Sequence, residues 1–396
     1  MASLRAELER MSVVVIDTGD YRSVEKFKPR DVTISASFVS AALQLPEFAA
    51  ALDEGMKWAQ MAAGLHTRRE TVVRLACDWL TVQLGLRVLN MIPGRIAIDI
   101  DARLANNVGS IVDRARWLYS HFDTAQVPRA RLMARIPATW EGIRAAELLE
   151  KESIQCCLTL VFGMHQAVPA AEARVTMISP LVGRIVDWHR KQSGMEAYAP
   201  AEDPGVLLVK RIYYYYKQNG YATEVMACSF RNVEQVTELA GCDRLLVAPN
   251  FLAGLAMSEG PLQRRLDPNA ARVAAIPRLS ILDGNAFRAA HAADRMAFEK
   301  LAEGQHGFGR SALALEGQIG ERLDSLVDGR RRNLVRDLFA IFDLDGDGII
   351  TREEWPGSTE VFDALDSNGD GTITPDEVGA GLGAAFRLSD RIIIPQ

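Results

Sequence analysis

Lysine, cysteine and long apolar runs are all scarce in this chain. No apolar run reaches the roughly 18 residues that a membrane-spanning helix needs, so no membrane partner is expected. The five cysteines are scattered among 396 residues and form neither a disulfide framework nor a zinc-ligand pattern. The amino-terminal stretch lacks the pattern of a signal peptide. We therefore expect a cytoplasmic protein in a reducing environment.

The net charge of −6 is concentrated towards the carboxyl end. Residues 330–396 hold 13 acids and 7 bases, whereas acids and bases balance in the rest of the chain. A neutral body argues against nucleic acid as a partner, because a phosphate backbone is bound by a basic face. The acids are concentrated in a segment where they could bind a cation.

Eight short apolar runs alternate with longer helical patterns such as Thr139–Lys151 and Val206–Gln218. The runs are Ser12–Ile16, Val32–Ser35, Arg95–Ile100, Leu132–Ile136, Cys156–Phe162, Val175–Ile178, Val225–Ser229 and Leu245–Ala248. Strands that alternate with helices predict an α/β fold with a parallel sheet. Eight such units in about 250 residues favour a closed (β/α)8 TIM barrel. An open doubly wound sheet is the alternative, although its glycine-rich first turn is absent.

Two twelve-residue segments match the calcium-loop pattern D-x-[DN]-x-[DN]-G-x5-E in full. Calcium takes about six to eight oxygen ligands, which positions 1, 3, 5, 7, 9 and 12 of such a loop supply around a glycine at position 6. The predicted ligands are Asp343, Asp345, Asp347, Ile349, Thr351 and Glu354 in the first loop, and Asp366, Asn368, Asp370, Thr372, Thr374 and Glu377 in the second. Two complete matches side by side disfavour the alternative of acidic turns that bind nothing.

The two loops predict a small all-α EF-hand pair with two Ca2+ sites and a β-bridge at Ile350 and Ile373. Only 11 residues separate Glu354 from Asp366, and Pro356 interrupts them. The helices between the loops must therefore be short. A structural or modestly regulatory calcium site is favoured over a sensor that opens to capture a partner helix.

These patterns predict the domain organisation. We expect a barrel over residues 1–326, a hinge over 327–332, the EF-hand pair over 333–381 and a tail over 382–396. The hinge prediction rests on Gly329, which stands among charged residues and is expected to break the helix.

Long, ordered segments between Ser12 and about Leu326 resemble the class I transaldolases. The strongest are Pro93–Leu104, Ala138–Glu152, Ile178–Trp188, Tyr198–Val206, Ala227–Asn232 and Glu238–Leu245. The resemblance implies a (β/α)8 barrel that transfers a three-carbon dihydroxyacetone unit between sugar phosphates of the pentose phosphate pathway. It also implies a Schiff base on a fourth-strand lysine and no organic cofactor.

The resemblance implies that the family's phosphate-binding cluster is complete here. Arg184, Ser229 and Arg231 match that cluster, and Ser179 matches a serine near the substrate. Two guanidiniums can clamp a phosphate through bidentate, charge-assisted hydrogen bonds. Both arginines follow predicted barrel strands, at the end where (β/α)8 active sites lie. The expected ligand is a phosphorylated sugar.

The catalytic positions that the resemblance implies are altered. Asp17 matches the first-strand general acid/base, and Thr159 matches the fifth-strand threonine that acts through a water. Arg135, however, stands where the Schiff-base lysine belongs, and Asp99 replaces the third-strand glutamate. An arginine stays protonated and cannot become the free amine that attacks a carbonyl.

Two further positions depart from the family pattern. Ser35 stands in place of a second-strand asparagine, and Cys157 in place of a fifth-strand asparagine. None of the eight lysines lies in a predicted strand. Lys191 follows the sixth strand most closely, and we expect it to be solvated.

Four functions remain open. The favoured one is a pseudoenzyme that binds a sugar phosphate without Schiff-base chemistry, with Arg135 paired to Asp17 or to substrate oxygens. A second is an isomerase- or lyase-type enzyme that moves protons with Asp17, Asp99, Arg135 and Cys157. The others are a working transaldolase that uses another amine and a calcium-responsive scaffold, which has no need of the phosphate cluster. The oligomeric state is left open, with a homodimer among the states considered.

Overall fold

The computed structural model describes residues 2–16, 21–27, 29–64, 68–271 and 276–380. The chain divides into two compact units, Met1–Gln318 (the barrel unit) and Ile319–Gln396 (the carboxyl-terminal unit). In the described part of the chain, no helix combines the length and the apolar character that crossing a bilayer requires. The predicted tail over 382–396 lies outside the described residues.

Eight parallel strands close into a barrel. They are β1 (Val13–Ile16), β2 (Val32–Ile34), β3 (Ile96–Asp99), β4 (Leu132–Pro137), β5 (Cys156–Val161), β6 (Met177–Pro180), β7 (Glu224–Ala227) and β8 (Arg244–Val247). Each strand pairs with the next, and β8 pairs with β1. This confirms the predicted (β/α)8 barrel and all eight predicted strands, whose ends shift by one or two residues.

Helices follow the strands of the barrel, and the last part of α15 and α16 belong to the carboxyl-terminal unit. The helices are α1 (Leu4–Glu9), α2 (Tyr21–Phe27), α3 (Ala36–Ala42), α4 (Ala49–Ala63), α5 (Arg69–Met91), α6 (Val108–Thr124), α7 (Trp140–Lys151), α8 (Met164–Glu172), α9 (Val182–Ser193), α10 (Pro204–Gln218), α11 (Val233–Thr237), α12 (Pro249–Met257), α13 (Pro268–Ala271), α14 (Gly284–Ala293), α15 (Arg295–Phe342) and α16 (Thr359–Leu365). Several begin at a side-chain cap: Thr139 Oγ1, for example, accepts from the Gly142 amide at the start of α7.

Residues 327–332, where the sequence predicts a break, are helical and belong to α15. A glycine inside a helix costs only about 1 kcal/mol relative to alanine. Gly329 therefore does not suffice to end a helix whose other residues favour it. The limits of the predicted domains stay a prediction.

The strand register places the candidate catalytic residues side by side. Asp99 of β3 lies opposite Arg135 of β4, and Arg135 lies opposite Cys157 of β5. Thr159 of β5 lies opposite Ser179 of β6. The carboxyl ends of parallel strands meet at one edge, which is the end where (β/α)8 barrels carry their sites.

The amino-terminal ends of the strands are joined by a separate network of charges. Arg244 donates to Asp31 and to Glu224, and Arg95 donates to Glu224 at 2.7 Å. Arg244 is 7% exposed. Because each charge has an opposite partner, this network ties β2, β3, β7 and β8 together without leaving a buried ion unpaired.

The carboxyl-terminal unit joins its two loops through a short antiparallel pair, β9 (Ile350–Thr351) and β10 (Thr372–Ile373). Ile350 lies opposite Ile373, as predicted. Both isoleucines are buried with Phe362 and Leu365 of α16. That helix has seven residues, which agrees with the short helices expected between the loops.

Candidate functional site

A cavity of about 1290 Å³ opens at the carboxyl-terminal ends of the barrel strands. One of its walls belongs to α15. Five predicted site residues line it: Ser35, Asp99, Arg135, Arg184 and Ser229. Because sites of (β/α)8 barrels lie at this end, the cavity is the candidate functional site. Asp17, the predicted general acid/base, lies outside the described residues.

Arg135 makes the central polar contacts of the cavity. Its Nη1 donates to the Asp99 carboxylate at 2.7 Å, and its Nη2 donates to Thr159 Oγ1 at 3.3 Å. The Arg135 and Asp99 side chains are only 12% and 19% exposed, so solvent screens their attraction weakly. The structure supplies Asp99 as a partner of Arg135. The predicted pairing of Arg135 with Asp17 or with substrate oxygens stays a prediction, because Asp17 lies outside the described residues.

No described lysine takes the place of the family's amine. Lys28 lies outside the described residues, and none of the other seven lysines lines the cavity. Lys191 is exposed near the end of α9, as expected. Lys210 and Lys217 form ion pairs with carboxylates, with nitrogen–oxygen distances of 2.7 and 2.8 Å. Neither of these lysines lines the cavity.

The residues of the predicted phosphate cluster lie in α9, which contains Arg184, and in the loop after β7, which contains Ser229 and Arg231. Ser229 follows β7 in the left-handed backbone region, with a φ of 61°. Arg231 Nη1 donates to the Ser229 carbonyl at 3.1 Å and to its Oγ at 3.3 Å. The same guanidinium donates to Asp187 at 2.7 Å. Arg231 is therefore held beside the cluster by a carboxylate and does not line the cavity.

Arg184 lines the cavity with a guanidinium that is available to an anion. It lies in the first turn of α9, whose amino-terminal end favours negative charge. Its guanidinium carbon is 6.0 Å from the ring centroid of Phe308. No residue in the described ranges accepts a hydrogen bond from it.

Three predicted site residues are buried in the barrel wall and do not line the cavity. Cys157, Thr159 and Ser179 are 0%, 1% and 1% exposed. The Ser179 Oγ lies 3.1 Å from the Cys228 sulfur. Burial raises the pKa of the Cys157 thiol to about 12, although nearby Arg135 opposes the shift. A thiol that stays protonated and packs in the core does not support the proton-transfer hypothesis for Cys157.

Ser35 combines a local structural role with its place in the cavity wall. Its Oγ accepts from the Phe38 amide at 3.2 Å, which caps the start of α3. The same Oγ lies 2.9 Å from Ser37 Oγ. Part of the hydrogen-bonding capacity of Ser35 is thus used by its own loop.

A β-bulge orients the end of β5. The register shifts between Thr159 and Val161, and Leu160 adopts a φ of 58°. The buried side chain of Gln166 donates to the Leu160 carbonyl at 3.0 Å and so satisfies a backbone group that the bulge frees. A Cβ at Gly304 of α15 would meet the Leu160 side chain at 2.4 Å. Glycine there lets α15 approach the bulge.

Phe308 of α15 lines the cavity and is a site residue that the sequence does not indicate. Its ring centroid is 5.2 Å from the Arg135 guanidinium carbon and 6.0 Å from that of Arg184. These separations are those of cation–π contacts. A phenylalanine in a helical pattern looks like an ordinary core residue, and its distance along the chain from both arginines hides the contact.

The first calcium loop of the carboxyl-terminal unit has the geometry of a cation site. Carboxylate oxygens of Asp343, Asp345 and Glu354 lie within 4.8 Å of one another. Gly346 and Gly348 have φ values of 76° and 90°, which permit the sharp turn of such a loop. Hard carboxylate oxygens in this arrangement fit Ca2+.

The second loop repeats this backbone path. Gly369 and Gly371 have φ values of 72° and 85°. Its first and last ligand positions, Asp366 and Glu377, are each 7% exposed. Hydrogen bonds from Thr374 hold the pKa of Glu377 below its usual value, so this carboxylate is ionised at neutral pH, as a calcium ligand must be.

Comparison with known proteins gives a family for each unit. The profile described as "Transaldolase/Fructose-6-phosphate aldolase" matches residues 14–319, and the EF-hand profile matches 335–355 and 359–382. A protein named Transaldolase from Thermosynechococcus vestitus is 48% identical over 98% of this chain and 99% of its own length. One so named from Synechocystis is 47% identical over 98% of each chain. One from Methylococcus capsulatus is 46% identical over 82% of this chain and 98% of its own.

Proposed function

This chain belongs to the transaldolase/fructose-6-phosphate aldolase family, and from this premise we propose that its barrel binds a phosphorylated sugar without forming a Schiff base. The observation that carries the proposal is the ion pair between Arg135 and Asp99, 2.7 Å long, at the position where the resemblance implies a reactive lysine. A guanidinium keeps its proton and offers no free electron pair to a carbonyl.

The phosphate end of the site supports binding. Arg184 lines the cavity at the amino-terminal turn of α9, where its charge and the helix dipole act on an anion in the same sense. Ser229 lines the cavity beside it, and Arg231 anchors the Ser229 loop through its bonds to Ser229 and Asp187. We assign phosphate contact to Arg184 and Ser229, and a positioning role to Arg231.

The end of the cavity that holds Arg135 and Asp99 supports binding without covalent chemistry. Nη1 and Nη2 of Arg135 are occupied by Asp99 and Thr159. Breaking such a weakly solvated pair is costly because it leaves a charge without its partner. Arg135 and Asp99 are therefore held in place as hydrogen-bonding groups for the sugar.

An active transaldolase is the second candidate, and the comparisons favour it. The relatives at 46–48% identity are named Transaldolase. This function requires an amine at the site, and among the lysines only Lys28 lies outside the described residues. The two candidates therefore differ in one measurable property, a covalent adduct with the substrate.

Titration calorimetry with fructose 6-phosphate tests the binding proposal. We expect binding by the unmutated protein and a loss of about tenfold or more in affinity on Arg184→Gln, because a charge-assisted phosphate contact is removed. Arg190→Gln, at an exposed position of the same helix, is the matched control and should leave the affinity unchanged. Undetectable binding by the unmutated protein would refute the proposal.

We further propose that the two EF-hand loops bind Ca2+ and that these ions are structural. The converging carboxylates of the first loop and the positive φ of all four loop glycines support calcium binding. The seven-residue α16 supports a structural role, because it leaves little helix to expose a partner groove. A cytoplasmic location and the oligomeric state stay predictions.

A further inference from the structure

We propose that this site recognises its ligand by hydroxyl groups and a phosphate and not by a carbonyl, so that phosphorylated alditols bind about as well as ketose phosphates. The proposal rests on the proposed function, since it specifies the ligand class of the same cavity. It goes beyond that function because an alditol phosphate has no carbonyl and no transaldolase-type reaction is open to it.

The donors and acceptors of the Arg135 cluster match a hydroxyl better than a carbonyl. A guanidinium only donates hydrogen bonds, an ionised carboxylate only accepts them, and a hydroxyl does both. A sugar hydroxyl placed beside the Arg135–Asp99 pair can accept from a guanidinium N–H of the first and donate to a carboxylate oxygen of the second. A carbonyl oxygen in that place would accept from Arg135 and face the Asp99 carboxylate with no proton to share.

The charge of the cluster also disfavours a second anionic group on the ligand. Arg135 and Asp99 offset each other's charge at 2.7 Å, so the pair itself carries little net charge. A carboxylate on the ligand would compete with Asp99 for the same guanidinium and repel Asp99 itself. An uncharged polyol chain pays no such cost.

Other polar groups of the wall suit a polyol as well. Thr33, Ser35 and Ser37 line the cavity, and each hydroxyl can donate and accept. Ser35 and Ser37 are linked to each other at 2.9 Å, with either hydroxyl able to donate. The wall thus presents hydroxyl partners beside the Arg135–Asp99 pair.

The spacing of the two arginines fits a sugar phosphate. Both guanidiniums contact the ring of Phe308, at 5.2 Å for Arg135 and 6.0 Å for Arg184. They cannot be farther apart than these two distances combined, which is within the reach of an extended hexose phosphate. The apolar ring that both guanidiniums contact would cover the carbon chain while the phosphate binds Arg184 and the far hydroxyls bind Arg135.

Calorimetry on the full chain tests the proposal with three probes: fructose 6-phosphate, glucitol 6-phosphate and gluconate 6-phosphate. We expect the dissociation constants of the ketose and the alditol to agree within about threefold. The corresponding difference in binding free energy is well under the roughly 1.4 kcal/mol that a tenfold change represents. The aldonate should bind about tenfold more weakly because of its carboxylate. Arg184→Gln should weaken all three, whereas Arg190→Gln should weaken none.

A variant with the family's residue provides a second, independent readout. Arg135→Lys should gain a preference of about tenfold or more for the ketose over the alditol, since an amine can react with the ketose alone. Its thermal unfolding, followed by circular dichroism, verifies that the variant is folded.

The failures of the two proposals are distinguishable. A ketose that binds the unmutated protein more than about tenfold tighter than the alditol would overturn the polyol proposal and leave sugar-phosphate binding intact. An aldonate that binds tighter than both would overturn it too, because Arg135 would then act as a carboxylate anchor. No binding of any probe would overturn the proposed function itself.

Discussion

Replacing Gly183 by alanine should damage the phosphate end of the site more than any other single methyl group added there. Gly183 is the second residue of α9, and its amide donates to the Ser229 carbonyl at 2.9 Å. A Cβ on Gly183 would lie 2.1 Å from that carbonyl oxygen and 2.8 Å from Arg231 Nη1. The oxygen belongs to backbone and cannot swing away as a side chain can.

The size of the effect follows from these distances. An ordinary carbon–oxygen contact is about 3.3 Å or more, so the two backbones must separate by about 1 Å. Ser229 already has a left-handed φ of 61°, which leaves little freedom to adjust. Overpacking usually costs about 1–3 kcal/mol, and we expect about 3 kcal/mol here because a backbone hydrogen bond is lost as well.

Urea unfolding and calorimetry with inorganic phosphate measure the two consequences. Gly183→Ala should lower the free energy of unfolding by about 3 kcal/mol and abolish detectable phosphate binding. Gly254→Ala is the matched control, since its Cβ would meet nothing closer than 3.8 Å in α12, and it should be neutral or slightly stabilising. If Gly183→Ala matches the control in both assays, the close approach of α9 to the Ser229 loop does not build the site.

Asp99→Asn should lower the free energy of unfolding by about 2 kcal/mol. The control Asp123→Asn removes an ion pair whose side chains are about two fifths exposed, and it should cost less than about 1 kcal/mol. Equal losses in urea unfolding would contradict the weak solvent screening of the Arg135–Asp99 pair. Burial and nearby His291 lower the pKa of His165 to about 4, so the unfolded chain takes up a proton first as the pH falls. The free energy of unfolding should therefore drop between about pH 6.5 and 4, and His165→Gln should flatten that slope. Calorimetry should count two Ca2+ per chain, and one in either Glu354→Gln or Glu377→Gln; a stoichiometry unchanged by these variants would refute the ligand assignment. Cys157 should resist alkylation by iodoacetamide at pH 8 in the native protein, because the pKa of its thiol is about 12, and should react once urea unfolds the chain.

The fold was predictable because each strand carries its own local signal. Runs such as Cys156–Val161 are apolar throughout, which is typical of parallel strands buried on both faces. The calcium loops were predictable for a similar reason, since all the ligands of one site fall within twelve consecutive residues. Both predictions needed only residues that are close together along the chain.

The site was predictable only in part, because its contacts join distant residues. The resemblance placed Arg135 on the fourth strand, but only the register of β3 against β4 identifies Asp99 as its partner. Nothing near Phe308 in the sequence indicates that its ring lies against Arg135 and Arg184. At Gly329 the sequence predicts a break, but one glycine is a weak local signal, and the helix-favouring residues on both sides of it continue α15 through this position.

Borohydride trapping with fructose 6-phosphate, read by intact mass, tests the central claim most directly. The unmutated protein and Arg135→Lys are treated in parallel, with glucitol 6-phosphate as the probe that cannot form an imine. We predict no adduct on the unmutated protein and a ketose-dependent adduct on Arg135→Lys, since the variant alone places an amine beside Asp99. A stable adduct on the unmutated protein, mapped to a lysine-containing peptide, would contradict the claim and identify the amine of an active transaldolase.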